Sequence, residues 1–252
     1  MLSKRIIPVL LLKDRDLVHI SKFEKNNEIY IGDPINVINV FNDYQVDEMI
    51  ILDIEKSINN SKIDIDFLRL ISGEAFFPMS YGGGIGSADI AEKIIEVGFE
   101  KIIINSQNLV NLELSKECIK RIGSQSVIAS IDIFRLNNNY FVYDYKKKNH
   151  TNIKAEYFIE SLIETGVGEI CITLVNIDGT MLGCDIKLIE DLEKFFKVPI
   201  IYKGGGKNYA DIKNILSQNV SAFASSTIFI MKKPGGGIVL NYPTASEKES
   251  FQ

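Results

Sequence analysis

Two glycine triplets are the features of this 252-residue chain best suited to holding a ligand. "YGGGI" contains Gly82–Gly84, and "KGGG" contains Gly204–Gly206, 122 residues further along. Because glycine has no side chain, its backbone can approach a ligand closely and direct N–H groups at it, which suits a phosphate. A single triplet would be interpreted as a tight turn between a strand and a helix. Two triplets in matching sequence contexts favour phosphate binding.

Polar residues that follow apolar runs would complete two clusters around these glycines. Two clusters on opposite sides of one mouth predict a ligand with a phosphate at each end, and the alternative left open is one phosphate with a vestigial second cluster. The candidate phosphate-binding residues are Gly82, Gly83, Gly84, Asn105, Ser106, Asp178, Gly179, Gly205, Ser226 and Thr227.

Asp132 is the candidate for proton transfer. It lies inside the apolar run "VIASIDIFR", where a carboxylate is costly unless it has a partner. It is therefore predicted to be an acid, a base or a hydrogen-bond anchor, and the structural alternative is an aspartate satisfied by nearby backbone N–H groups. Asp53, at the end of another run, has the same two interpretations. Leu11 in "IIPVLLLK" occupies the matching position 121 residues before Asp132.

These residues must be positioned by eight short apolar runs that alternate with amphipathic helical patterns. The clearest helix is "SADIAEKIIEVG", which Ser87 can cap and Gly98 can end. Apolar strands separated by helices predict an α/β protein, and this length fits a closed (β/α)8 TIM barrel better than an open sheet. The predicted strands are 4–12, 48–53, 76–81, 101–105, 126–132, 169–174, 199–203 and 221–226.

The strand contexts also repeat at half the chain length. "DEMIILD" is echoed by "GEICITL" at an offset of 121, alongside the two glycine triplets. We therefore predict one barrel domain over 1–252, built from tandem half-barrels of about 1–123 and 124–252. Two separate domains remain the alternative. Ligands of such barrels bind at the carboxyl ends of the strands.

Charged residues begin four of the predicted strands. Arg5, Glu48, Lys101 and Glu169 alternate in sign, and together they would form a ring at the opposite end of the barrel, its floor. The ring is either a salt-bridged plug or a gate, and composition does not distinguish these roles.

Composition narrows the class of protein. The net charge of −5 gives no support for a nucleic-acid surface. The sequence contains no window of about 18 uncharged apolar residues, so no membrane-spanning helix is predicted. The N-terminal segment lacks the long apolar run of a signal peptide, so a cytoplasmic protein is expected. Three cysteines without CxxC spacing predict buried thiols, and no metal or cofactor is expected.

Two further segments have simpler interpretations. Residues 13–30, which include His19, are predicted to be a long loop that acts as a mobile lid. The basic run Lys146–Lys148 is predicted to lie at a solvated hairpin tip, and His150 has no evident partner.

The segments quoted above, together with "FEKIIINS", "GVGEICIT" and "NIDGT", resemble the cyclase subunit of imidazole glycerol phosphate synthase, in order, from residue 1 to about 230. The resemblance implies a two-half barrel that binds a substrate with two phosphates. It also implies a glutaminase partner on the N-terminal face, with ammonia travelling through the barrel core. The four charges then fall on the gate of that ammonia channel, and the candidate phosphate residues match as well.

Two departures from the family pattern affect the chemistry. The family uses aspartates on strands 1 and 5 as general acid and base; Asp132 matches the second, but Leu11 replaces the first and cannot transfer a proton. Lys203 stands where a small polar residue is usual.

A kept gate with impaired cyclase chemistry resembles a paralogous branch found in surface-polysaccharide pathways. Its members pair with a glutaminase and pass ammonia to an amidotransferase that builds an acetamidino group on a sugar. Three functions stay open: an ammonia-accepting synthase subunit for sugar amidation, a working cyclase of histidine biosynthesis, and a non-catalytic docking subunit.

Overall fold

A computed structural model describes residues 4–59, 61–233 and 235–251 as strands alternating with helices. The strands are β1 (Arg5–Lys13), β2 (Asp16–Ser21), β3 (Glu24–Gly32), β4 (Met49–Asp53), β5 (Met79–Gly82), β6 (Lys101–Ile104), β7 (Val127–Leu136), β8 (Asn139–Asp144), β9 (Asn149–Lys154), β10 (Glu169–Leu174), β11 (Ile200–Lys203) and β12 (Ala222–Ser225). The helices are α1 (Pro34–Asp43), α2 (Lys56–Asn59), α3 (Ile65–Glu74), α4 (Ala88–Glu96), α5 (Glu113–Ile122), α6 (Ala155–Glu164), α7 (Ile186–Leu192), α8 (Tyr209–Leu216), α9 (Thr227–Ile230) and α10 (Ala245–Glu249).

Eight parallel strands close into a barrel. The pairing runs β1–β4–β5–β6–β7–β10–β11–β12 and returns to β1, where Arg5 pairs with Ala222. Each of the eight predicted strands coincides with one of these strands. The prediction of a closed (β/α)8 barrel is confirmed, and β1 and β7 lie on opposite sides of it.

Two antiparallel extensions rise from the carboxyl ends of those two strands. Strands β2 and β3 follow β1, and β8 and β9 follow β7. Both extensions begin at a two-residue turn with positive φ, Asp14–Arg15 and Asn137–Asn138, as tight hairpins require. The predicted loop over 13–30 is wrong, because cross-strand pairing organises it into strands. The predicted hairpin tip at Lys146–Lys148 is confirmed between β8 and β9.

Side chains of the barrel strands alternate between two cores, as the two-residue period of a strand requires. One core lies between the strands and the helices, and it contains Phe41 and Ile94. The other lies inside the barrel, and it includes Ile7, Ile50 and Ile201. Together they bury the apolar faces that fix each strand's register.

Helix α4 follows the sequence prediction closely. The Ser87 side chain accepts a hydrogen bond from the Ile90 N–H, and Ile94 is fully buried on the inner face. Gly98 takes a φ of 111° just after the helix, a conformation that favours glycine. Within the described ranges, no helix has the length and apolarity needed to cross a bilayer.

Candidate functional site

A cavity, here called the mouth cavity, opens at the carboxyl ends of the barrel strands. Its polar lining includes the first glycine triplet, Gly82–Gly84, with Asn105 and Ser106, and also Asp132, Asp178 and Lys203. Its apolar lining includes Leu11 and Phe23. This is the end of the barrel at which the sequence predicts ligand binding, since the polar strand ends converge there.

Asp132 lies on the β7 wall of the mouth cavity and is 5% exposed. The Asn105 Nδ2 donates a hydrogen bond to its Oδ2 over 2.7 Å, and Thr173 is its neighbour on β10. Burial raises the pKa of Asp132 to about 6, although attraction from Lys203 and the Asn105 hydrogen bond oppose that rise. A carboxyl with this pKa can accept or release a proton near neutral pH.

Lys203 also reaches into the mouth cavity, from the end of β11. Its Nζ lies 3.3 Å from the Asp178 Oδ2 and 5.6 Å from the centroid of the Phe23 ring. Burial disfavours the ammonium, but attraction from Asp178 and Asp132 outweighs burial and raises the pKa of Lys203. Lysine at the end of an apolar strand was the available sequence signal, and its ion-pair partner could not be identified from the sequence.

Leu11 lies on the opposite wall, where the matching strand of the first half ends. It is 7% exposed, lines the cavity, and pairs in register with Leu52 on β4. The nearby carboxylate of Asp53 also lines the cavity, and burial raises its pKa. Its Oδ1, however, accepts hydrogen bonds from the backbone N–H groups of Glu55 and Lys56. This geometry favours the structural interpretation of Asp53, as the anchor of the turn before α2.

The first glycine triplet packs tightly against that turn. A Cβ on Gly83 would lie 2.4 Å from the Asp53 carbonyl oxygen, and one on Gly84 would lie 2.5 Å from the Lys56 Cβ. Gly84 has a φ of +67°, and its N–H donates to the Ser57 Oγ over 3.0 Å. Glycine is therefore required here for both space and conformation. The structure brings this triplet together with Asn105 and Ser106 in one wall of the mouth cavity.

The second predicted cluster has a different environment. Asp178 lines the mouth cavity, whereas Gly179, Gly205, Ser226 and Thr227, all within the described ranges, do not. The Gly205 carbonyl accepts a hydrogen bond from the Gly183 N–H over 2.8 Å, and the Gly179 carbonyl accepts one from the Ser21 Oγ over 2.9 Å. Thr227 is 2% exposed. The Ser226 Oγ is buried without a hydrogen-bond partner among the described residues.

The barrel floor carries a closed ring of alternating charge, here called the floor ring: Arg5, Glu48, Lys101 and Glu169. The Arg5 guanidinium lies 2.6 Å from oxygens of both Glu48 and Glu169. The Lys101 Nζ lies 3.4 Å from Glu48 and 3.1 Å from Glu169. The Ser80 Oγ donates a further bond to the buried Glu48 over 3.0 Å. The sequence predicted this cluster, and each charge is paired with two of opposite sign.

The contacts of the two histidines indicate structural rather than catalytic roles. His19 is 3% exposed, and burial lowers its pKa despite attraction from Asp178. The His150 ring stacks on Phe134 at 5.7 Å between centroids. In the part of the chain that the structure describes, no group of three or more histidine, cysteine or acidic residues could hold a metal ion.

Comparison with known proteins places this geometry in a family. The family model described as "Histidine biosynthesis protein" matches residues 5–233. The chain is 36% identical to "Putative imidazole glycerol phosphate synthase subunit hisF2" of Pseudomonas aeruginosa, over 98% of each chain. It is 34% identical to "Putative imidazole glycerol phosphate synthase subunit HisF" of Leptospira borgpetersenii, over 100% of this chain and 99% of that protein.

A third relative is "Imidazole glycerol phosphate synthase subunit HisF" of Streptococcus mutans. It is 30% identical over 91% of each chain. The resemblance stated from the sequence is thereby confirmed at the level of the family. This chain belongs to the histidine biosynthesis protein family, as a HisF-like relative of the cyclase subunit of imidazole glycerol phosphate synthase.

Proposed function

We propose that this chain is the synthase subunit of a glutamine-dependent amidotransferase. In this proposal a partner glutaminase docks on the N-terminal face of the barrel and releases ammonia there. The ammonia passes the floor ring, crosses the barrel and leaves at the mouth cavity. It then supports amidation of a sugar in surface-polysaccharide biosynthesis. The observation that carries the proposal is the closed, fully paired ring of Arg5, Glu48, Lys101 and Glu169.

The barrel interior beyond the ring has a composition suited to ammonia. Ile7, Ile50, Ile128 and Ile201 line it, and Cys171 is the polarisable side chain among them. An apolar interior disfavours the ammonium ion strongly and the small neutral ammonia molecule far less. A charge ring at the entrance followed by an apolar core is therefore consistent with a path that admits ammonia and excludes ions.

Exposed aromatic side chains on the floor side support a docking partner. Phe76 precedes β5 and is 87% exposed, and Tyr44 precedes β4 and is 40% exposed. Large apolar side chains that face water on one surface are typical of protein contact sites. These residues lie at the same end of the barrel as the floor ring, which is where the glutaminase would dock.

The residues at the mouth are consistent with weaker ring-closing chemistry than in the cyclase relatives. One proton-transferring carboxyl, Asp132, faces an opposite wall formed by Leu11 and Leu52. General acid–base catalysis by one residue contributes typically 10²–10⁴-fold, so ring closure that needs two carboxyls is expected to be slow here. The choice of a sugar as acceptor rests on the sequence resemblance to the polysaccharide branch.

The test is glutamine hydrolysis by the cognate glutaminase, measured with and without this chain. We expect the chain to bind the glutaminase and stimulate hydrolysis, because the floor face completes the ammonia path. The variant Phe76→Asp should weaken the stimulation, whereas Leu182→Asp, at a largely exposed apolar position of the mouth end, should not. Absence of binding or stimulation by the unmodified chain would overturn the proposal.

A further inference from the structure

The mouth cavity is asymmetric in what it offers to a phosphorylated ligand. The first cluster, Gly82–Gly84 with Asn105 and Ser106, lies in its wall. The second cluster contributes only Asp178. We infer that the site takes a ligand with one phosphate, held at the first cluster, and that Lys203 together with Asp178 excludes a second. This inference rests on the proposed function, since it names the ligand class of the same site.

The ion pair occupies the ground between the two clusters. The side chains of Lys203 and Asp178 are only 6% and 13% exposed, and their charged atoms lie 3.3 Å apart. Phe23, carried on the turn between β2 and β3, covers the ammonium on its outer side. Because Lys203 and Asp178 line the cavity next to Gly204, a ligand that extended from Gly82–Gly84 toward Gly205 would meet this ion pair.

The second glycine triplet is closed by its own neighbours. A Cβ on Gly204 would lie 2.5 Å from the Asp178 Oδ1, so that carboxylate packs directly on the Gly204 backbone. Gly205 is bonded to Gly183 and packs against Ile177, whose Cδ1 would lie 2.7 Å from an added Cβ. Both triplets pack closely against a neighbouring turn, but Gly82–Gly84 also line the mouth cavity, whereas Gly204–Gly206 do not.

The charges facing this position also disfavour a second phosphate. Asp178 and Asp132 both act on Lys203, and the ammonium of Lys203 is therefore shared between two carboxyls. A phosphate at the second cluster would meet the Asp178 carboxylate with no unpaired cation in the cavity lining to offset the repulsion. At the first cluster the lining beside the glycines includes the amide and hydroxyl groups of Asn105, Ser106 and Ser57. The carboxylate next to these glycines, Asp53, already accepts hydrogen bonds from the backbone N–H groups of Glu55 and Lys56.

Isothermal titration calorimetry of the full chain with two phosphorylated sugars tests the inference. Ribose 5-phosphate carries one phosphate, and ribulose 1,5-bisphosphate carries one at each end of a chain of the same length. We expect ribose 5-phosphate to bind, and the second phosphate to improve the dissociation constant by less than about threefold. In Lys203→Ser, which removes the stem, the bisphosphate should gain about tenfold over the monophosphate.

Two controls make each outcome decisive. Gly84→Ala introduces a Cβ that meets Lys56, so it should abolish binding of both probes; unchanged binding would overturn the assignment to the first cluster. Binding of the bisphosphate more than about threefold tighter than the monophosphate in the unmodified chain would overturn the inference, as would binding of neither probe. The unmodified chain supplies the first comparison, so the result does not depend on whether a variant folds.

The inference can fail without the proposed function failing. Stimulation of the glutaminase depends on the floor face, and Lys203→Ser alters only the mouth. A chain that prefers the bisphosphate yet still stimulates the glutaminase would refute the single-phosphate site alone. A chain that fails to stimulate the glutaminase refutes the proposed function, whatever its ligand preference.

Discussion

The two ends of the barrel differ in how completely their charged groups are matched. At the floor, Arg5 and Lys101 each pair with both Glu48 and Glu169, so the ring is closed. At the mouth, Leu11 lies on the wall opposite Asp132, and Lys203 forms an ion pair with Asp178. Under the proposed function, this difference would make the entrance for ammonia and the ring-closing site separable features of one barrel.

Breaking the floor ring should produce the largest effect. In Arg5→Ala, Glu48 and Glu169 lose their strongest partner, and Glu48 is almost fully buried. Removing one partner of a buried ion pair costs about 3–5 kcal/mol. Because Lys101 still lies near both glutamates, the loss should fall at the lower end of that range, and urea denaturation at pH 7 would measure it.

The exposed pair Arg15–Asp64 supplies the matched control, because both of its side chains are largely open to solvent. Arg15→Ala should cost less than about 1 kcal/mol. Equal losses in the two variants would contradict the account of the floor ring as a buried network.

Replacing Asp132, the carboxyl at the mouth, with a neutral residue should raise the free energy of unfolding rather than lower it. The pKa of Asp132 is about 6 in the folded chain, above its ordinary value of 3.8, so its ionisation opposes folding as the pH rises through this window. Asp132→Asn should therefore be more stable than the unmodified chain at pH 7, by about 2–3 kcal/mol.

The pH dependence of that difference is the sharper observation. Below about pH 4 the carboxyl is protonated in both the folded and unfolded states, so the two proteins should converge in stability. Urea titrations at pH 7 and at the lowest pH where both proteins fold would measure it. A loss of stability in Asp132→Asn at pH 7 would show that the ionised form is favoured in the folded chain.

Placing a second proton-transferring carboxyl at the mouth should raise the rate of ring closure and leave the floor ring unchanged. Leu11→Asp places a carboxylate on the wall opposite Asp132, and ring closure should rise by about a hundredfold if the missing proton transfer limits it. Leu11→Asn is the control, since it has the same size and polarity without a titrating group. Equal rates in the two variants would remove Leu11 from the explanation.

The smallest expected effect concerns the hydroxyl that completes the floor ring. Ser80 is fully buried and donates a hydrogen bond to Glu48. A hydrogen bond to a charged group contributes about 1.5–3 kcal/mol, so Ser80→Ala should lower the unfolding free energy by about 1.5 kcal/mol. No change would indicate that Arg5 and Lys101 alone satisfy the Glu48 carboxylate.

The sequence predicts the barrel because its strands depend on local pattern. Most barrel strands are short apolar runs rich in β-branched residues, although β5 (MSYG) and β12 (AFAS) have none. The floor charges could be grouped because each begins or directly precedes a strand. Strand β3, "EKNNEIYIG", begins with polar residues and is organised by its pairing with β2, which explains why 13–30 was interpreted as a loop. Of the second extension, the sequence analysis predicted only the hairpin tip at Lys146–Lys148, although Asn137–Asn138 is a stronger turn signal than Asp14–Arg15.

The candidate site is less readable from the sequence, because its contacts join distant segments. Asp178 and Lys203 are 25 residues apart, and Gly183 closes over Gly205 from the far side of a turn. Identical glycine triplets therefore have different environments. Gly82–Gly84 borders the cavity, and Gly204–Gly206 packs against its neighbours. Each triplet has two glycines with positive φ, Gly83–Gly84 and Gly204–Gly205, but the motif did not indicate what lies against them.

The central claim is that ammonia supply is retained while ring closure is lost, and one assay of the purified chain with its cognate glutaminase tests both. The mixture receives glutamine and the bisphosphorylated substrate of imidazole glycerol phosphate synthase, and glutamate and the imidazole product are measured together. The account predicts glutamate release that depends on this chain, with imidazole formation slower by about a hundredfold or more. Imidazole product formed in step with glutamate would contradict it.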